Sequence, residues 1–263
     1  MLKFSSLYSG STGNSLYIES NNTRLLVDAG VSGKKIVDGL NTINSSINCI
    51  DGILVTHEHS DHVASIGILS KKYNIPVYAS KKTWSKLEKQ KSQIKEENQK
   101  YFNIEEKFNI NDIDIFPFST PHDAIDPCGF NLYNKKTKIS IATDLGHVTN
   151  KIYGYLEESS LVMLESNYEP DILKYSSYPQ ILKNRILSNY GHLANIDAAK
   201  TICKLTVSGL NNIFLGHLSR ENNFPELVYK ITMNELEENN CKLQQINLNI
   251  ASRDTPSELV HVT

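Results

Sequence analysis

The order of segments predicts an α/β fold with two β-sheets laid back to back and helices outside. Three observations carry this. Short apolar runs at residues 52–55, 161–164 and 212–215 are bounded by polar and turn residues, as buried strands are. Longer segments of helical apolar spacing alternate with them, at 179–189 and 196–207. Several of the runs end on Asp or His, and the carboxyl end of a strand is a common place for a site in an α/β protein. With 263 residues the chain can bury a substantial core, and a 40% apolar, 21% charged composition is ordinary for a globular protein.

Taken in order, residues 2–9 read as a strand, 10–15 as a tight turn of Gly, Ser, Thr and Asn, and 16–19 as the returning strand. Residues 21–23 make a second turn, and 24–27 form a third strand that delivers Asp28. A short helix at 33–40 precedes the 52–55 strand, and a helix over 63–72 and a strand at 76–79 follow it. Residues 81–100 are rich in Lys, Gln and Glu, with Trp84 and Leu87 as apolar anchors. They read as a solvated helical face with a flexible connection; the minority reading makes Lys81, Lys82, Lys86, Lys89 and Lys91 a nucleic-acid-facing patch. A strand at 113–118 leads into His122. Segments 129–133 and 138–143 form a hairpin ending at Asp144, and 161–164 is a buried strand ending at Glu165. Asn195 is the expected N-cap of the 196–207 helix. The 212–215 strand ends at His217, a helix occupies 225–236, and 243–250 closes the sheet. No composition break divides the chain, so one domain over 1–263 is expected.

Net charge near −2 gives no global basic field, although local basic patches remain open. The amino terminus lacks a sustained apolar segment, and no stretch suits a signal peptide or a membrane span, so a cytoplasmic protein without membrane contact is expected. Cys49, Cys128, Cys203 and Cys241 are widely spaced and read as reduced thiols, more often core residues than ligands.

The chemistry concentrates in Thr56-His57-Glu58-His59-Ser60-Asp61-His62. Three imidazoles and Asp61 fall on a loop between a strand and a helix. A polar loop that happens to be rich in His is the bland reading. Four donors at this density point to metal instead, since imidazole suits zinc, iron or manganese and carboxylate adds a harder oxygen. His57 and His59 can share one ion while Asp61 and His62 turn toward another. The 10–15 turn is a hairpin turn, yet its Gly and hydroxyl residues also leave N–H groups free for an oxyanion.

The H-x-H-x-D-H spacing resembles the signature of the metallo-β-lactamase fold superfamily. Asp28 precedes it near the start of the chain, and His122, Asp144 and His217 follow it, at the positions where that pattern needs them. The resemblance implies a four-layer αβ/βα sandwich. It implies two divalent ions, Zn²⁺, Mn²⁺ or Fe²⁺, with His57, His59 and His122 on the first, Asp61, His62 and His217 on the second, and Asp144 bridging. Asp28 is expected to orient a ligating His through its ring N–H. Two such ions about 3.5–4 Å apart lower the pKa of a shared water, and that hydroxide is the implied nucleophile, with Asp61 and Asp144 in the catalytic centre. Zinc β-lactamases of the best-known type carry Cys where this chain has Asp144, and flavodiiron relatives carry Glu where it has His59. Asp144 is instead shared with phosphodiesterases, nucleases, thioesterases and lactonases.

Three further segments, 10–14, 190–195 and 216–223, look like the YycJ/WalJ branch of bacterial nucleases of this fold. That branch hydrolyses DNA as a 5′-to-3′ exonuclease linked to mismatch repair, which implies DNA as substrate and DNA-repair proteins as partners. The chain has no room for a β-CASP insert and no evident tRNA-gripping arm. His192 reads either as a buried or capping His or as a group that touches phosphate or protonates the leaving oxygen. Its place before a helix start favours an anion site. Ser11, Asn14, Ser219, Arg220 and Asn222 are candidate phosphate contacts, though Arg220 fits a plain surface residue equally well. His147, close to Asp144, has no assigned role, and His261 in the tail reads as structural or idle. The rival readings are a small-molecule hydrolase (cyclic phosphodiesterase, thioesterase or lactonase) and a non-catalytic metal-binding scaffold.

Overall fold

A computed structural model describes residues 1–262. Its strands are β1 (Leu2–Tyr8), β2 (Ser15–Glu19), β3 (Arg24–Val27), β4 (Gly52–Leu54), β5 (Val77–Ser80), β6 (Gln99–Phe102), β7 (Phe108–Ile110), β8 (Ile113–Ser119), β9 (Cys128–Asn134), β10 (Thr137–Ala142), β11 (Leu161–Glu165), β12 (Asn212–Gly216), β13 (Asn247–Ile250) and β14 (Val260–Val262). Its helices are α1 (Gly33–Thr42), α2 (Ser60–Val63), α3 (Ile66–Tyr73), α4 (Lys81–Lys86), α5 (Glu88–Lys91), α6 (Asn150–Leu156), α7 (Pro170–Tyr175), α8 (Gln180–Ile186), α9 (Asn195–Val207) and α10 (Pro225–Glu238).

The strands form two seven-stranded mixed sheets, ordered β14-β1-β2-β3-β4-β5-β6 and β13-β12-β11-β10-β9-β8-β7. Phe4, Leu16, Ile18, Leu25 and Val27 of the first sheet meet Ile115, Phe130, Ile139, Ile141, Met163 and Phe214 of the second in one core, with the Phe4 and Phe214 rings edge-on at 4.9 Å. The alternate residues face outward. Leu7, Tyr17, Leu26 and Ile53 pack under Ile36 and Leu40 of α1, Ile66 and Leu69 of α3, and Trp84 of α4. Val162, Leu164, Ile213 and Leu215 pack under α6, α9 and α10. This gives helix, sheet, sheet, helix: the expected four layers. Strands apolar on both faces read as unbroken runs in sequence for this reason.

Several boundaries differ from expectation. The 63–72 helix is broken: α2 ends at Val63 and α3 starts at Ile66, because Ser65 turns aside to bond Ala29 and Val31. The 179–189 helix stops at Ile186, and the next residues turn back toward the site. Residues 81–100 are ordered, with α4, α5 and the start of edge strand β6, and Trp84 Nε1 donates to Lys100 O at 2.8 Å. Asn195 is not an N-cap. Ala194 holds that position, and the buried Asn195 side chain bonds Ser166, Glu169 and Asn223 instead. Residues 243–245 form a 3-10 turn before β13, and the tail adds β14, in which His261 pairs with Lys3. Cys49 is exposed; Cys128 and Cys203 are buried, and Cys203 Sγ lies 3.5 Å from Cys241 Sγ. No helix among the described residues is long and apolar enough to cross a membrane.

Candidate metal centre

The site lies at one edge of the sandwich, where β3, β4, β8, β10, β11 and β12 all end. The chain must turn sharply there, and Asp28, Asp144 and His217 sit at φ of 63°, 58° and 56°, a conformation non-glycine residues rarely take. Of the ten non-glycine residues with positive φ among the described residues, three therefore stand at strand ends of this site. The loops interlock through backbone bonds: Asn14 N to Asp61 O, Ala29 N to His62 O and Gly30 N to Asn14 O, each 2.8 Å. Gly30 is required, since a Cβ there would fall 1.5 Å from Asp61 O.

All seven expected ligands converge. His57, His59 and His122 form one group; Asp61, His62 and His217 form another; Asp144 lies with His57 and His62 and also with His217, each group having its ligand atoms within 4.8 Å of one another. His57 Nε2 is 3.1 Å and His122 Nε2 3.3 Å from His59 Nδ1. Ligands about 2.0–2.1 Å from one tetrahedral ion are separated by about 3.3 Å, so these nitrogens have the spacing of atoms sharing a cation.

The far ring nitrogens are tied back. His62 Nδ1 donates to Asp28 Oδ2 at 2.7 Å, and Asp28 is itself fixed by Thr56 N and Oγ1 at 2.9 Å. His122 Nδ1 donates to Gly191 O at 3.0 Å, and His217 Nδ1 to Glu165 Oε1 at 2.8 Å. With Nδ1 protonated, the Nε2 lone pair of each faces the centre. Asp144 Oδ2 and His217 Nε2 are buried there without a hydrogen-bond partner. Orphaned donors and acceptors of this kind call for another occupant, and a divalent cation fits this donor set.

Charge agrees. Burial drives His57 well below the usual imidazole range, with His62, His122 and His59 adding to it. Burial also opposes charge on His62 and His217. Asp144 and Asp28 nevertheless raise His62 well above its usual value, and Asp144, Asp61 and Glu165 raise His217 to about 10. Burial likewise works against ionised Asp61 and Glu165, yet hydrogen bonds and charge from the neighbouring imidazoles hold both carboxyls far below their ordinary range. Four carboxylates thus demand positive charge at the place where a cation would supply it.

Glu165 is the residue that sequence reading passed over. It is fully buried, and its Oε1 accepts from both His217 Nδ1 and His192 Nδ1, the latter at 2.7 Å. Its Oε2 accepts from Leu145 N at 2.9 Å and Leu193 N at 3.3 Å. His192, 17% exposed, is therefore held through Nδ1, which also lies 3.9 Å from Asp144 Oδ1. Asp123 was also passed over; its Oδ1 lies 3.4 Å from His122 Nε2, and its carboxylate pairs with Arg185 of α8. Of the candidate phosphate contacts, Ser11 and Arg220 are exposed. Asn14 is buried, with Nδ2 3.2 Å from His62 Nε2. Ser219 and Asn222 are buried and bond each other, shaping the loop after His217. His147 is exposed, bonds Asn189 O, and stands outside the clusters.

Fold and site together define a class. Residues 23–210 match the beta-lactamase superfamily domain, and the chain belongs to that family, in its WalJ/YycJ branch. It is 39% identical over 236 residues to exodeoxyribonuclease WalJ of Streptococcus pneumoniae, covering 89% of this chain and 88% of that one. It is 38% identical over 237 residues to exodeoxyribonuclease YycJ of Bacillus anthracis, covering 90% of each. In fold it is similar to the metallo-β-lactamase fold protein YhfI of Bacillus subtilis, with a TM-score of 0.73 at 15% identity over 97% of this chain and 98% of that one.

Proposed function

We propose that this protein is a dinuclear-metal-dependent phosphodiester hydrolase, a 5′-to-3′ DNA exonuclease of the cytoplasm serving mismatch repair or DNA metabolism, built as one domain without a β-CASP insert. The observation that carries the reading is the meeting of the complete donor set with 39% identity to a protein named exodeoxyribonuclease. His57, His59 and His122 would hold one ion, Asp61, His62 and His217 the other, and Asp144 both. Bound there, divalent ions supply Lewis-acid charge to the phosphate and a water acidic enough to attack it. The chain's own residues do the rest. Asp28, Gly191 and Glu165 fix the imidazoles, Asn14 steadies the His62 loop, and His192 presents a proton at Nε2 to the departing oxygen while Glu165 holds its Nδ1.

The test is a duplex labelled at its 5′ or 3′ end, incubated with protein and Mn²⁺. Early release of labelled mononucleotide from the 5′ end is expected, with Asp144→Ala inactive. Release first from the 3′ end, or nicking of circular DNA, rejects the polarity. The net charge of −2 favours the second reading, a small-molecule hydrolase. It would show as rapid cyclic phosphodiester, thioester or lactone hydrolysis with DNA left intact.

A further inference from the structure

The molecule carries a cationic hollow beside the metal centre. Strands β12 and β13 run parallel, with Leu215 opposite Ile250, so both end at the same edge. One delivers His217; the other delivers the turn at residues 251–254. Between that turn, the loop after His217 and the start of α1 lies a cavity of about 490 Å³. Lys35, Arg220 and Arg253 line it, opposed by the single carboxylate of Asp254, with hydroxyls from Ser9 and Thr12. Three positive groups against one negative, in a chain of net charge −2, are a concentration and not a sample of the surface. The ion pairs made by Lys and Arg elsewhere use Lys3, Arg24, Lys82, Lys95, Lys151 and Arg185. Among the described residues the three cations of the hollow have no such partner.

The hollow and the centre share a wall. Ser9 Oγ accepts from His217 N at 2.8 Å, and Gly10 N donates to Asn14 Oδ1 at 3.0 Å. Arg253 is anchored against that wall, with Nη2 donating to Ser219 O at 3.4 Å and its Cβ 3.2 Å from where a Gly10 side chain would begin. Tyr8 fixes the approach of α1, since its hydroxyl donates to Lys35 O at 2.9 Å and Lys35 Nζ lies 5.6 Å from its ring centre. Forked guanidinium groups and a lysine around hydroxyls suit a tetrahedral oxyanion.

We infer that this hollow binds a phosphate group of the nucleic-acid strand, one removed along the chain from the bond cleaved at the metal centre, through Lys35, Arg220 and Arg253. The inference rests on the nuclease reading and adds a place for the strand that the ligand set does not provide. The phosphate is either the 5′-terminal monoester or an internal diester, and the two separate by experiment. Duplex binding to the metal-loaded full chain is measured by fluorescence anisotropy between 50 and 200 mM salt, with 5′-phosphoryl and 5′-hydroxyl ends. Degradation of the same duplexes is followed in parallel. Lys35→Glu reverses charge at an exposed position and Arg253→Gln removes the anchored one; circular dichroism and urea midpoints confirm that both fold. Binding is expected to weaken about 5- to 50-fold, with the slope of log K on log salt shallower by about 0.9 for each phosphate no longer neutralised. Loss confined to the 5′-phosphoryl duplex identifies the terminal monoester; equal loss on both ends identifies a diester. Folded variants that bind with wild-type affinity and salt slope overturn the inference while leaving the nuclease reading intact. A wild-type protein that hydrolyses bis-p-nitrophenyl phosphate but neither binds nor degrades DNA overturns both.

Discussion

Glu165→Gln is nearly isosteric, so it tests charge and hydrogen-bond direction, not packing. The carboxylate accepts four hydrogen bonds: from His192 and His217 at 2.7 and 2.8 Å, and from Leu145 and Leu193 N–H at 2.9 and 3.3 Å. An amide can accept on one side only. With its oxygen toward the imidazoles, its NH₂ meets two backbone N–H donors; flipped, it meets two ring N–H donors. Either way two bonds to a charged acceptor disappear, at about 1.5–3 kcal/mol each. Part of that loss falls on the orientation of His217, where weakening an outer partner lowers metal affinity about 10–100-fold. Part falls on His192, whose misplacement as a proton donor costs about 10²–10⁴ in turnover. The assays are Mn²⁺ and Zn²⁺ titration of the apoprotein and turnover of bis-p-nitrophenyl phosphate at saturating metal, with a urea midpoint as control. Affinity within twofold of wild type together with unchanged turnover would refute the argument and reduce Glu165 to a space-filling group.

Three further outcomes are expected. His192→Ala should keep its metal content and fold while losing about 10²–10⁴ in turnover; unchanged turnover returns it to a structural role. Gly30→Ala should lower the urea midpoint by the equivalent of about 3 kcal/mol, the upper end of the overpacking range, because the Asp61 carbonyl must move, and a wild-type midpoint would contradict the interlocked loops. Burial lowers the Lys138 pKa to about 8, against the raising effect of Glu158 and Glu157. Between pH 8 and 10.5 the unfolded chain therefore holds more protons at this site, and stability should rise with pH there. Discounted for solvent around the ammonium, the rise is about 1–2 kcal/mol. Comparing Lys138→Met with wild type by urea melts at pH 7 and 9.5 checks it, and equal pH slopes would count against it.

The strands that deliver site residues were readable because each leads directly to Asp or His: β3, β4, β10 and β12 are largely buried on both faces, while β8 alternates, with Asp114 and Ser119 exposed. The strands not foreseen, β6, β7 and β14, are all edges of their sheets. In β6, Lys100 and Tyr101 are exposed, and β14 has only three residues, so neither has a period to see. The ligands lay in a compact motif and at strand ends. Glu165 had no such signal, because its partners stand 27 and 52 residues away and only the fold brings them together. Strand β11 ending on a fully buried carboxylate was the available clue, since such a group must have partners. Asn195 misled for a related reason. Asn before a helix is a common cap, but here the side chain is drawn inward by Ser166 and Asn223.

Each proposed ion position draws on both sheets. His57 and His59 follow β4 while His122 follows β8; Asp61 and His62 open α2 while His217 ends β12. Ions held there would rivet the two halves of the sandwich at one edge, and the halves could part only after a rivet is lost. The lifetime of the folded chain would then track the residence time of its ions. A chelator would shorten that lifetime at low temperature, well before it changed the equilibrium fraction folded. Refolding, in which ligands from opposite halves meet late, would depend far less on free metal than unfolding does. The metal centre would be a fastener as much as a reagent.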